Sequence, residues 1–299
     1  MARKKAPKPK NAARAELLAK RAAERAAAAQ IPVRPFADLA FEADLVALRE
    51  FVPSAVAELP LRKNSRPVQL ATVLPGAIAA LVRTDNIGYI GAQVAGESPD
   101  LAADFAESIR WVLDASTGDS LNRAEPDDDT PDLTDLIDAD GSLEVTVHQD
   151  FNWWVPEGSD PDPSVASTIS QANVAVMPSA RIAADVPGAP WWVDAGDKAH
   201  LRWVRTEDEE ALMSTLARLS ASGELHLGEG SRFAGSFRTH GLLVPVFDLD
   251  PERHADEWAA PLEELEQRFA AALARSDEDL TAAERRARDG LRSRQVTLR

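Results

Sequence analysis

The chain has 299 residues and no cysteine, which excludes disulfides, thiolate-bound zinc, iron–sulfur clusters and a cysteine nucleophile. Its composition is 44% hydrophobic, with seven Trp and nine Phe, enough for a packed core of one large or two ordinary domains. The net charge of −16 is unevenly placed. Residues 1–25 hold nine Lys or Arg against Glu16 and Glu24, residues 284–299 hold six Arg against Glu284 and Asp289, and the body between is strongly acidic.

No apolar run approaches the roughly 18 residues of a membrane span. No apolar stretch of secretory type follows the basic N-terminus. A soluble cytoplasmic protein without a membrane contact is expected. An acidic body repels nucleic acid, whereas basic ends attract it. Five of the seven lysines lie in the first twenty residues. Arg3, Lys4, Lys5, Lys8 and Lys10 are therefore candidates for sequence-independent contact with RNA or DNA.

In chain order, residues 1–10 combine Lys and Pro with nothing to bury and are read as disordered. Asn11 caps a predicted solvated helix reaching Ala29. Leu45, Val46, Leu48 and Phe51 give an apolar side to a helix over Glu42–Phe51, ended by Pro53. Strands are predicted at Val68–Leu74, Ala77–Val82 and Ile87–Val94, with Asp85–Asn86 as a turn. A helix over Pro99–Leu113 places Leu101, Phe105, Ile109 and Val112 on one face. An acidic loop, Glu125–Asp140, precedes strands at Leu143–His148 and Phe151–Val155 and a short helix at Pro163–Gln171.

Further strands are expected at Ala172–Met177, Arg181–Ala184, Trp191–Val193 and His200–Val204. A helix over Glu207–Ser220 follows. Then come strands at Glu224–Leu227, Arg232–Arg238 and Leu242–Phe247, and a helix over Glu252–Ala274. Residues from Arg275 onward show weak periodicity.

Two stretches align without a gap over sixteen residues: GSLEVTVHQDFNWWVP (Gly141–Pro156) and GSRFAGSFRTHGLLVP (Gly230–Pro245). Upstream, ATVLPGAIAALV mirrors VAVMPSARIAADV, with Pro75 opposite Pro178. Such self-similarity points to an internal duplication. The expected fold is α+β: two homologous halves, each an antiparallel sheet of meander plus hairpin packed with helices, flanked by basic extensions. The expected divisions are 1–30 (basic tail and solvated helix), 31–160 (first half), 161–275 (second half) and 276–299 (basic tail).

No metal or cofactor motif stands out, and none is expected to be bound. The Asp138–Gly141 stretch fails as a calcium loop, because Leu136 and Val147 would fall where oxygen ligands belong. The five histidines, His148, His200, His226, His240 and His254, show no metal-ligand spacing. There is no Gly-x-Ser-x-Gly elbow, and Phe233 breaks the dinucleotide pattern begun at Gly228. The pairs Trp153–Trp154 and Trp191–Trp192 are the candidate partner-contact residues. On a strand, one Trp of each pair faces the core and its neighbour faces outward or toward the other half.

RPFADLAFEADLVALREFVPSA (Arg34–Ala55), GLLVPVFDLD (Gly241–Asp250) and AERRARDGLRSRQVTLR (Ala283–Arg299) together resemble an actinobacterial family classed as a domain of unknown function. Some of its members are labelled preprotein translocase SecA and carry a cysteine-rich SEC-C zinc motif near the N-terminus. This chain lacks that motif, and it lacks a Gly-x-x-x-x-Gly-Lys phosphate loop. Other members are labelled topoisomerase II, but no ATP-binding signature occurs here and the sole tyrosine, Tyr89, lies in a predicted strand. The predicted order of elements is similar to type III secretion chaperone-like folds, which bind polypeptides. The resulting expectation is a non-enzymatic binding or adaptor protein for polypeptide partners. The alternative is nucleic-acid association through the basic tails.

Overall fold

The structure, a computed structural model, describes residues 33–96 and 98–293. The tail residues Arg3, Lys4, Lys5, Lys8 and Lys10, and the predicted helix reaching Ala29, lie outside the described residues.

The fold is α+β with two sheets. The first sheet contains β1 (Ala55–Glu58), β2 (Val68–Ala71), β3 (Ala80–Val82), β4 (Gly88–Gly91), β5 (Ser120–Leu121) and β6 (Val145–Val147), in the order β5-β3-β4-β2-β1-β6. Its pairings are antiparallel except for the parallel pair β2–β4. The second contains β7 (Ser179–Arg181), β8 (Ala189–Asp194), β9 (Ala199–Val204), β10 (Ser231–Thr239) and β11 (Leu242–Leu249), in the order β10-β11-β9-β8-β7, antiparallel throughout. Two sheets accord with two halves, although their strand orders differ.

Helix α1 (Glu42–Glu50) lies between the sheets, which explains a burial pattern that is not amphipathic. Ala43, Leu45, Val46, Ala47 and Leu48 are all buried. They share one apolar cluster with Phe105 and Ile109 of α2 (Leu101–Asp114), Leu70 and Ile90 of the first sheet, and Trp191, Val204 and Val244 of the second. Asp100 caps α2 by accepting from the Ala103 N–H. Polar residues fasten the same seam. The Arg181 guanidinium pairs with Asp44 at 2.7 Å. Arg34 pairs with the buried Glu42 and donates to the Thr206 carbonyl at 3.2 Å.

The far face of the second sheet packs under α5 (Glu209–Ser222) and α6 (Ala259–Leu273) through Trp192, Trp203, Leu243 and Phe247. Leu262, Leu265, Phe269 and Ala272 form the buried stripe of α6 at helical spacing. The weakly periodic stretch after Arg275 contains α7 (Ala282–Arg292), opened by a capping box between Thr281 and Glu284. Two short helices complete the set: α3 (Leu133–Leu136) in the acidic loop and α4 (Pro163–Asn173) between the halves.

Several expectations need correction. The two aligned segments fold differently. In the second, Thr239 pairs with Leu242 across a two-residue turn, with φ of 46° at His240 and 74° at Gly241; such turns match strand twist. The first segment has Phe151 and Asn152 at those positions. Phe151 keeps a φ of −109°, and the Asp150 carboxylate accepts from the Asn152 N–H at 2.9 Å. This local turn leads into a 3-10 helix, Asn152–Trp154, in place of the predicted strand at Phe151–Val155. The matched prolines also diverge: Pro75 opens a 3-10 turn, while Pro178 precedes β7.

Glu224–Leu227 is not a strand either, since Arg268 on α6 takes the Glu224 and His226 carbonyls at 3.1 and 2.9 Å. Ala172–Met177 is the end of α4 and a loop. The long helix from Glu252 is broken into a 3-10 turn, Ala255–Trp258, before α6.

Candidate functional site

The outer face of the first sheet is built from Val56, Ala71, Leu74, Leu81 and Tyr89, with Trp153 packed against them. The 3-10 turn Asn152–Trp154 brings two indoles to this face. Trp153 stacks on Tyr89 with ring centroids 6.1 Å apart. Its Nε1–H donates to Ser54 Oγ at 2.9 Å, and that hydroxyl donates to the Asp150 carbonyl at 2.6 Å. The Trp154 Nε1–H donates to the Val73 carbonyl at 3.0 Å, and the ring lies 4.6 Å from Phe151. Both indole N–H groups are thus used inside the fold, so each ring has a fixed orientation.

Arg83 lies 4.8 Å from the Tyr89 ring centre, donates to the Trp153 carbonyl and forks onto Asp85. The Arg83 hydrogen bond holds the Asp85 carboxyl below its usual range, against partial burial. Burial pushes the Tyr89 phenol up. Burial also lowers the His148 imidazole, which sits 5.8 Å from Trp153, so this histidine is neutral near pH 7.

The space left between Leu74, Pro75, Leu81, Tyr89, Trp153 and Trp154 is only about 10 Å³, about one water at most. The arrangement therefore presents a rigid aromatic surface, half-buried at Trp153 and Trp154, with no room for a small molecule. The end of α4 is tied to this turn. The Phe151 N–H donates to Asn173 Oδ1 at 2.7 Å at the end of α4. The next residues include Val174, 88% exposed, and Met177, 41% exposed. Val33 is the third exposed large hydrophobic among the described residues.

The other tryptophan pair stands elsewhere. Trp191 and Trp192 are 0% and 5% exposed, in the clusters on opposite faces of the second sheet. Alternation separates them as predicted, but both faces are covered, so neither ring forms an exposed contact surface. The histidines are dispersed. His226 Nδ1 accepts from the Gly228 N–H at 2.8 Å, His240 meets Glu50 and His254 caps a 3-10 turn. Among the described residues, no group of three or more His, Asp or Glu side chains is arranged to hold a metal. The acidic loop instead borders an open cleft of about 620 Å³ whose lining includes Phe36, Asp38, Asp100, Asp127 and Asp132.

The model of DUF5926, a family of unknown function, matches residues 35–299. The chain belongs to DUF5926. Comparison with curated proteins and with solved structures gives no match. The DUF5926 match takes in α1, both sheets and the whole aromatic turn. Within this DUF5926 chain, no described helix is long and apolar enough to cross a membrane. Sequence reasoning picked out Trp153 and Trp154 but missed Tyr89, Arg83 and Ser54, which lie 64–99 residues away along the chain. The Asp85–Asn86 turn was the only local signal near them.

Proposed function

We propose that this protein is a cytoplasmic, non-enzymatic binding or adaptor protein that engages polypeptide partners through the aromatic turn and the apolar strip beside it. One observation carries this reading: Trp153 and Trp154 are half-buried with both indole N–H groups bonded inward, and their neighbour Phe151 is tied to Asn173, one residue before a Val174 that is 88% exposed. Rigid aromatic anchors lose little freedom on binding, and contiguous exposed apolar surface marks interaction sites. The absence of a cavity under the rings fits a flat macromolecular partner better than a small ligand.

The test is affinity purification of full-length protein from its native cells, with and without nuclease treatment. The comparison protein carries Trp154→Ser, Val174→Asp and Met177→Asp. Polypeptides retained after nuclease and lost with the triple variant support the reading. Material retained equally by both proteins contradicts it. Material lost on nuclease treatment, and on deletion of residues 1–30, favours the alternative reading of sequence-independent nucleic-acid association through the basic tails. The charge segregation along the chain motivates that alternative.

A further inference from the structure

Strand β10, Ser231–Thr239, is the longest strand among the described residues and the outermost strand of the second sheet. One side of it pairs with β11. Thr239 and Leu242 form the hydrogen-bonded pair that closes the two-residue turn, so Phe237 opposite Val244 is a hydrogen-bonded pair as well. Ser236 and Arg238 then turn their N–H and C=O groups away from β11. In keeping with this parity, Ser236 lies opposite Pro245, which has no N–H to offer. Among the described residues, no other group bonds the outer backbone side of Ser236 or Arg238. Ser236 is nevertheless only 1% exposed. A peptide group shielded from water and unpaired is costly, and long bare edges invite self-association, so native sheets cover them.

The last described helix delivers the chain to this edge. Helix α7 packs on α5, with Leu291 buried in the cluster beneath the second sheet. Arg292 Nη2 lies 3.0 Å from Glu210 Oε1. The neighbouring Glu209 accepts from Arg238 Nε at 2.8 Å. Two adjacent carboxylates at the start of α5 thus tie the end of α7 to β10. The residues after Ser293 read Arg-Gln-Val-Thr-Leu-Arg. From Gln295 onward they alternate polar and apolar, and Val296 and Thr297 are β-branched, the pattern of a strand. Six extended residues reach about 20 Å, enough to run from beside Arg238 back to Phe233.

We infer that residues 294–299 add a sixth strand to the second sheet, antiparallel to β10 along its outer side, and take the free backbone groups of Ser236 and Arg238. Val33 also approaches this hairpin, at Gly241. Residues 26–32 before it, however, hold four consecutive Ala and Pro32, which are poor strand formers. The family match runs from residue 35 through residue 299, so it contains the C-terminal segment and not the N-terminal one. This edge is separate from the aromatic turn, and the assignment does not depend on the polypeptide-binding reading.

The experiment is amide hydrogen exchange followed by NMR on three proteins: the full-length parent, full-length Val296→Pro with Thr297→Pro, and a chain lacking residues 1–32. Two adjacent prolines remove a donor of either parity. In the parent, the Ser236 and Arg238 amides should be protected. In the double-proline variant they should exchange about tenfold faster or more. Phe237, bonded to Val244, should keep its protection there and report an intact sheet. Deletion of residues 1–32 should leave all three amides unchanged. Should Phe237 lose protection with the two prolines, full-length Leu298→Asp carries the test in their place. Rapid exchange of Ser236 and Arg238 in the parent, unchanged protection in the C-terminal variants, or loss only on deletion of residues 1–32 overturns the assignment. Protection that rises with protein concentration puts the strand of a second copy on this edge and overturns the arrangement within one chain.

Discussion

His240 Nε2 lies 2.7 Å from Glu50 Oε1, joining the tip of the β10–β11 hairpin to the last residue of α1. Burial works to raise the Glu50 carboxyl, but the hydrogen bond and charge of His240, with Arg49, bring it below its usual value of 4.5. A depressed carboxyl adds stability above its unfolded pKa and loses it as pH falls through the folded value. Chemical denaturation from neutral pH down to about pH 3 should show this loss. In Glu50→Gln the acid dependence should be shallower. An unchanged slope in that variant contradicts the coupling.

Gly241 sits one residue further along the same turn. Its φ is 74°, and a Cβ there would stand 2.5 Å from Arg34 Cγ and 2.9 Å from the Val33 carbonyl oxygen. Gly223 ends α5 with a similar φ of 78° but has open space around it. Gly223→Ala should cost about 1 kcal/mol from backbone strain alone. Gly241→Ala should cost more, about 2–3 kcal/mol, because backbone must move as well. Equal losses in urea denaturation would show that the hairpin tip does not press on the Val33–Arg34 segment.

Trp191→Ala and Trp192→Ala should each cost about 3–5 kcal/mol, since each empties a buried site on its own side of the second sheet. Trp154→Ala, at a half-buried position, should cost clearly less. Thermal melts of the three variants decide the order. A Trp191→Ala protein as stable as Trp154→Ala contradicts the placement of the core.

Arg205 is 1% exposed, stacked on Trp203 and Phe269, and paired with Glu207 and Glu266. Burial acts to lower its pKa, but the two carboxylates outweigh that and raise it, so it stays charged. Removing both partners, Glu207→Gln with Glu266→Gln, leaves a charge buried and unpaired and should cost about 3–5 kcal/mol. Arg205→Met in the same background should recover part of that loss. No recovery would mean that stacking on the two rings, more than charge pairing, holds Arg205 in place.

The second sheet was the most legible part of the sequence. Trp191–Val193, His200–Val204, Arg232–Arg238 and Leu242–Phe247 all lie inside observed strands, because long runs of β-branched and aromatic residues there meet burial on both faces. The first sheet was less legible. Strand β1 is only four residues, Ala55–Glu58, beginning two residues after Pro53, and its register is set by β2 and by β6, about ninety residues away. No local pattern encodes such a pairing. The candidate site was half visible for the same reason. Trp153 and Trp154 announce themselves by size, whereas Ser54 anchors one through a single hydroxyl and Val73 the other through a backbone carbonyl that any residue supplies.

The placement of α1 between the sheets also bears on synthesis at the ribosome. Its apolar residues, Leu45 to Leu48, need Trp191, Val204 and Val244 to cover them. Those partners emerge some 140–200 residues later, which at about 5–20 residues per second is an interval of roughly 7–40 s. Through that interval the nascent chain carries a greasy helix with one side uncovered. The N-terminal half cannot bury α1 on both sides until the strands of the second sheet have emerged.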